Sequence, residues 1–273
     1  MMNQNISWTV YFNGAQLLGG FCCLLQQWLQ HDNLRRPKIS PWHTSWSNFL
    51  LFCWIFWMVT FLPSFTQSFC DTTHGIDTTL FLGNFLAQCL LLAIIYGFCK
   101  KNTFHYASTL SLHTSSLGTC MGRAIFSYLC LNAILFTISS LWLFLCLSLS
   151  HFFTFNSLKQ QELLQFLSLH PPFPFPLVAV FSAVILAPIV EEIFFRGGIY
   201  RFLCGKIHRR WAALITAALF SLLHGNILAS VPLFFLSLLL THFYEKEQSL
   251  LVAILIHGMF NGNGILLTLL HCR

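Results

Sequence analysis

Long, continuously apolar stretches separated by short polar segments dominate the chain. A helix crosses the bilayer core in about 20 mostly apolar residues. Stretches of that kind fall near residues 8–28, 45–65, 79–99, 125–149, 174–198, 211–229, 230–244 and 249–270. They are longer and more uniformly apolar than the alternating strands of a membrane barrel, which run about ten residues. The pattern predicts an all-α fold, a polytopic integral membrane bundle of about eight transmembrane helices. The fourth stretch is long enough to tilt. The seventh is short, and only Ser230 and Val231-Pro232 mark its break from the sixth, so a partial crossing is the alternative there. The pattern divides the chain into N-terminal helices over 1–173 and a second group over 174–270.

Composition closes off other classes. Hydrophobic residues make up 56% of the chain and charged residues 8%, against about 25% charged in a typical soluble domain. A soluble enzyme, an ordinary nucleic-acid binder and a disordered chain are excluded, leaving the lipid bilayer as partner and no nucleic acid. The net charge of +6 is not gathered into a patch. Arg35, Arg36 and Lys38 lie in the first connection, Lys100, Lys101 and Arg123 in the third, Arg201, Lys206, Arg209 and Arg210 in the fifth, and Lys246 in the seventh. The N-terminal segment and second connection have none, and the fourth has only Lys159. Basic loops in alternation predict a cell-membrane protein with both termini outside the cytoplasm. The eleven cysteines form no Cys-x-x-Cys pair and lie mostly in apolar runs, as small hydrophobes do. With no Lys or Arg before the first apolar stretch and no small-residue cleavage site, a removable signal peptide is not expected.

Charge within a span is costly and marks a candidate site. Glu191 and Glu192 interrupt an apolar run, with Arg196 completing the turn. Glu192 and Arg196 are four apart and share a helix face, so they can pair. Glu191 is rotated roughly 140° from Arg196 on a 100° step, which leaves its carboxylate to point elsewhere. A buried ion pair beside one solvated Glu is the plainer account of the same pattern. Farther on, Phe220 and His224 share one face, as do His257 and Asn261, with Gly258 and Gly262 beside the latter pair at a spacing that lets another helix approach. Counted from the inferred cytoplasmic ends, Glu191, His257 and His224 lie about ten, eight and thirteen residues deep, within roughly a turn and a half of helix. Three helices can therefore bring a carboxylate, two imidazoles and an amide to one cavity.

The ordered set Glu191-Glu192 with Arg196, Phe220 with His224, and His257 with Asn261 resembles the CPBP family. This is the CAAX-processing and bacteriocin-processing (Abi-type) group of intramembrane proteases. The resemblance covers about residues 174–270; the first four spans match only in being apolar. It implies hydrolysis of a peptide bond by glutamate-activated water, with a peptide or membrane protein as substrate. Glu191 would be the general base, and His224 would hold the water. His257 and Asn261 would bond the oxyanion, and Glu192, Arg196 and Phe220 would support the site. Such proteins have also been described as metalloproteases, and Glu191, His224 and His257 could ligate zinc. No His-Glu-x-x-His is present, and a metal leaves Asn261 without a task, so a mechanism without a cofactor is favoured. No Gly-x-Ser-x-Gly elbow occurs. A non-catalytic immunity or scaffold protein of the same family is the first rival. A proton-coupled transporter is the second, and no inverted repeat speaks for it.

The loop charges give a direct test. A topology reporter fused after Arg273 should report a non-cytoplasmic position and one inserted beside Lys206 a cytoplasmic position. Both on one side would make the span count wrong by one.

Overall fold

The computed structural model describes residues 14, 17–20, 39–67, 78–101, 116–149 and 172–271, and every regular element among them is helical. We number the long helices α1 (Trp46–Gln67), α2 (Thr78–Lys101), α3 (Leu117–Leu149), α4 (Phe175–Cys204), α5 (Arg209–Leu223), α6 (Ile227–Glu247) and α7 (Leu250–His271). Among the described residues α3, α4, α6 and α7 are long and apolar enough to cross a membrane. α1 and α2 contribute the shorter apolar helices Trp46–Thr60 and Leu82–Gly97. The expected first span, 8–28, lies largely outside the described residues. Four such helices, not about eight, are therefore established.

The expected sixth and seventh spans need correction. α5 ends at Leu223, not near 229, because Gly225 takes the left-handed conformation (φ 61°) and turns the chain. Asn226 then caps α6, its Oδ1 accepting from the Leu228 and Ala229 N–H groups. With 15 residues α5 is about 22 Å long, short of a bilayer core of about 30 Å. α6, expected to be the short one, has 21 residues. The apolar run passes unbroken over the Gly225-Asn226 turn, so hydropathy alone misplaces the boundary.

α4 occupies the centre, packed on α2, α5 and α7, while α1 lies on α2 and α3 on α6 and α7. Its residues from Ile193 to Tyr200 are all buried. Two stretches of α4, Ser182–Leu186 and Ile193–Tyr200, are π-helical. Pro188 accounts for what happens at the first. The Ala187 N–H reaches back five residues to the Ser182 carbonyl. The next such bond would come from residue 188 to Ala183, but proline has no N–H to give. The Ala183 carbonyl instead accepts a hydrogen bond from Asn261 Nδ2 on α7, at 2.9 Å. Val184, whose carbonyl would pair with residue 188 in an α-helix, meets Gly258: a Cβ there would lie 2.6 Å from the Val184 oxygen. α7 thus docks on the backbone groups that proline releases.

A polar clasp closes one end of the bundle. Arg201 Nε donates to the Ser40 carbonyl at 2.8 Å, and Arg209 pairs with Glu245 and with the Ile39 carbonyl. Tyr200 donates to Glu245 Oε1 at 2.7 Å, and Glu247 lies 3.7 Å from Arg123 of α3. Glu245 and Glu247, expected in a loop, belong to the last turn of α6. The ends of the first, third, fifth and seventh connections, which carry most of the basic residues, meet here.

The close approach of α7 to α4 is testable. Gly258→Ala should destabilise the protein by about 1–3 kcal/mol, because its Cβ meets backbone and not a movable side chain. Gly264→Ala, with nothing within 4 Å of the added carbon, should not. Thermal unfolding of both variants in detergent reads the difference, and equal midpoints would contradict the docking described.

Candidate active site

Three of the four residues expected to do chemistry converge. Glu191 projects from the middle of α4, and its Oε2 lies 3.9 Å from Nε2 of His224 and 3.9 Å from Nε2 of His257. That oxygen is shielded from solvent and has no hydrogen-bond partner among the described residues. The carboxylate as a whole is 23% exposed and His224 31%, so the cluster is reachable from outside. His257 is 3% exposed and forms the inner wall.

Each imidazole is oriented through its other nitrogen. His224 caps the C-terminus of α5, where Nδ1 sits 2.7 Å from the Phe220 carbonyl. His257 Nδ1 sits 2.8 Å from Glu192 Oε1. A carbonyl or carboxylate oxygen can only accept, so both Nδ1 atoms carry a hydrogen, and in a neutral ring Nε2 is then a lone pair. Both Nε2 atoms face Glu191.

Glu192 does more than the helical step predicted. It is fully buried, and the same Oε1 that binds His257 also accepts from Arg196 Nη1 at 2.7 Å. Arg196, likewise fully buried, spends Nη2 on the Ser237 hydroxyl and carbonyl of α6, at 2.9 and 3.0 Å. Thr241 also donates to that carbonyl, at 2.9 Å. A carboxylate and a guanidinium are tolerable in such surroundings only when paired and hydrogen-bonded. Ser237 escaped the sequence reading because one hydroxyl in an apolar helix carries no spacing signal. The Glu192–His257 bond escaped it because it joins helices 65 residues apart.

Phe220 is the plate on which these groups rest. Its ring centroid is 4.6 Å from that of His224, 5.8 Å from that of His257 and 5.0 Å from that of Phe195. Arg196 Cζ lies 5.1 Å over the same ring, a buried cation–π contact. Asn261, one turn along α7 from His257, is held by the Ala183 carbonyl, which leaves its second amide hydrogen and Oδ1 for other partners.

An apolar cavity of about 510 Å³ leads to the cluster. Glu191, Phe194 and Ile199 form its floor on α4, Leu219 and His224 one wall on α5, and Phe56, Trp57 and Thr60 the other wall on α1.

The same stretch of chain resembles known proteins. Residues 173–262 match the family model described as type II CAAX prenyl endopeptidase Rce1-like. The chain is 36% identical over 118 residues to UPF0177 protein YaiF of Lactococcus lactis subsp. lactis (strain IL1403). That match takes in 42% of this chain and 48% of YaiF, about half of that relative's length. UPF0177 protein YaiH of the same strain is 28% identical over 229 residues, covering 79% of this chain and 85% of YaiH. No solved structure matches the chain. The described residues are all helical, and the family matched over 173–262 is one of endopeptidases. Residues 173–262 carry the likeness to the Rce1-like CAAX endopeptidase group, the family that the motifs resemble.

The shared carboxylate sets a ranking of stabilities. Glu192→Gln leaves Arg196 unpaired in a low-dielectric interior and should cost about 3–5 kcal/mol. Ser237→Ala removes one hydroxyl but keeps the carbonyl contact, and should cost about 1 kcal/mol. Unfolding midpoints of the purified variants check this; equal shifts would mean that Glu192 is not the linchpin of the network.

Proposed function

We propose that the protein is an intramembrane endopeptidase that cleaves a peptide or membrane-protein substrate with water activated by Glu191. The observation that carries the reading is the meeting of Glu191 Oε2 with two Nε2 atoms, each 3.9 Å away. A water oxygen about 2.8 Å from all three atoms would subtend about 90° between Glu191 and either imidazole, an ordinary hydrogen-bond arrangement. Zinc at about 2.1 Å would need about 140° there, far from tetrahedral. The donor set suits zinc in kind, but its spacing does not, and no step below passes through a metal.

Glu191 takes a proton from the water as the oxygen attacks the carbonyl carbon. It later gives that proton to the departing amine nitrogen. Two acceptors suffice for the two hydrogens of the water, so the three groups divide their roles. His224, backed by a neutral carbonyl, accepts from the water. His257 donates from Nε2 to the oxyanion in its doubly protonated, imidazolium form, whose positive charge the Glu192 carboxylate at Nδ1 stabilises. The second Nδ2 hydrogen of Asn261 assists. Arg196 holds Glu192 in place. The protein acts in the cell membrane with both termini outside the cytoplasm.

Turnover of the purified protein in detergent tests the mechanism. Glu191→Gln should abolish cleavage while the unfolding midpoint stays near wild type, and a strong chelator should leave wild-type turnover unchanged. Asn261→Ala should lower kcat by about 10²–10³-fold with KM nearly constant, beyond any loss of stability from its Ala183 bond. Chelator-sensitive activity restored by zinc would overturn the metal-free reading. Cleavage undiminished by Glu191→Gln would overturn the assignment of the base.

A further inference from the structure

The cavity that reaches Glu191 is built only partly from the segment shared with the Rce1-like family. Floor and one wall come from α4 and α5, within residues 173–262, but the facing wall is α1, more than a hundred residues upstream. Trp57 of α1 and Leu223 of α5 both line the cavity and are 48% and 52% exposed, which puts them at its rim. Inside, Phe56 of α1 stacks on Phe194 of α4 with centroids 3.5 Å apart, fixing this wall against the floor.

The chemistry of the lining restricts what can enter. Among the described residues no Lys or Arg lines the cavity, and Glu191 is its one carboxylate. The Thr60 hydroxyl is occupied by the carbonyls of Phe56 and Trp57, at 2.8 and 3.1 Å. A terminal carboxylate would lose its water and meet a like charge, and a Lys side chain would lose its water with Glu191 as its one ionic partner, occupying the base itself. An apolar side chain would gain contact on three sides.

We infer that α1, outside the family segment, sets substrate selectivity: the cavity accepts an uncharged apolar stretch of polypeptide beside the scissile bond, and Trp57 limits the size of its side chain. This rests on the peptidase reading of Glu191. Removing the indole widens the rim without touching Glu191, His224 or His257, so it should alter which side chain is preferred.

The probe is a set of fluorogenic Leu/Ala-rich peptides identical except for one central residue, Ala, Phe or Lys. For Trp57→Ala, the kcat/KM ratio of the Phe over the Ala peptide should rise about tenfold or more relative to wild type, a typical discrimination by an apolar pocket. Trp54→Ala, on the same helix, 56% exposed and not lining the cavity, should keep the wild-type ratio. A second arm needs no hydrolysis. Glu191→Gln protein with a photoreactive residue at position 57 should crosslink the Ala and Phe peptides but not the Lys peptide. Capture without any cleavage by wild type would sink the peptidase reading and leave the cavity assignment standing. An unchanged ratio in Trp57→Ala, equal capture of the Lys peptide, or no capture at all would overturn the inference.

Discussion

One oxygen atom organises the site. Glu192 Oε1 accepts from both Arg196 and His257 in an interior where neither charge is solvated. The desolvation of a carboxylate and a guanidinium must be offset by tight geometry and by the partners of Glu192 Oε1 and Arg196 Nη1 and Nη2, since Glu192 Oε2 and Arg196 Nε have none among the described residues. That requirement pulls α4, α6 and α7 together: Arg196 must reach Ser237, and Glu192 must reach His257. The same bond fixes the hydrogen of His257 on Nδ1 and turns Nε2 toward Glu191. A stability constraint and the orientation of His257 toward Glu191 are thus met by a single contact.

The position of His257 along α7 depends on a different interaction. Pro188, three residues before Glu191, withholds an N–H and frees carbonyls on the face of α4 that α7 approaches. Gly258 permits backbone contact at Val184, and Asn261 satisfies Ala183. These contacts lock the sliding register of the two helices. A shift of one residue, about 1.5 Å, would separate His257 from both glutamates. Asn261 therefore has a structural duty alongside the one proposed in the reaction, and its effect on stability and on turnover must be measured separately.

The chemistry-bearing residues were legible because membrane solvent penalises charge so heavily. Glu191, Glu192, Arg196, His224 and His257 stand out against apolar neighbours, and the i, i+4 spacing places each pair on one face. The division between a tied Glu192 and a freer Glu191 followed from the 100° step and agrees with their burial. What was illegible falls into two kinds. Contacts between distant helices, such as Glu192 with His257 or Arg196 with Ser237, leave no periodic trace. Backbone events, such as the Gly225 turn or the carbonyls freed by Pro188, do not register in hydropathy. The α5–α6 boundary was misplaced for that second reason.

That boundary has a chemical consequence. Because α5 stops at His224, the imidazole sits on a helix terminus and not on a helix flank, beside the rim residue Leu223. Its Nδ1 is free to bond the Phe220 carbonyl, one of the last carbonyls of a helix that has no following turn to satisfy them. Ending the helix thus supplies an acceptor, and the acceptor sets the tautomer that leaves Nε2 as a lone pair. It also leaves His224 more exposed than His257, at 31% against 3%. One imidazole lies toward the apolar cavity, and the other toward the buried Glu192 carboxylate. The asymmetry between the two histidines, indistinguishable by residue type, comes from where α5 ends and where Glu192 is held.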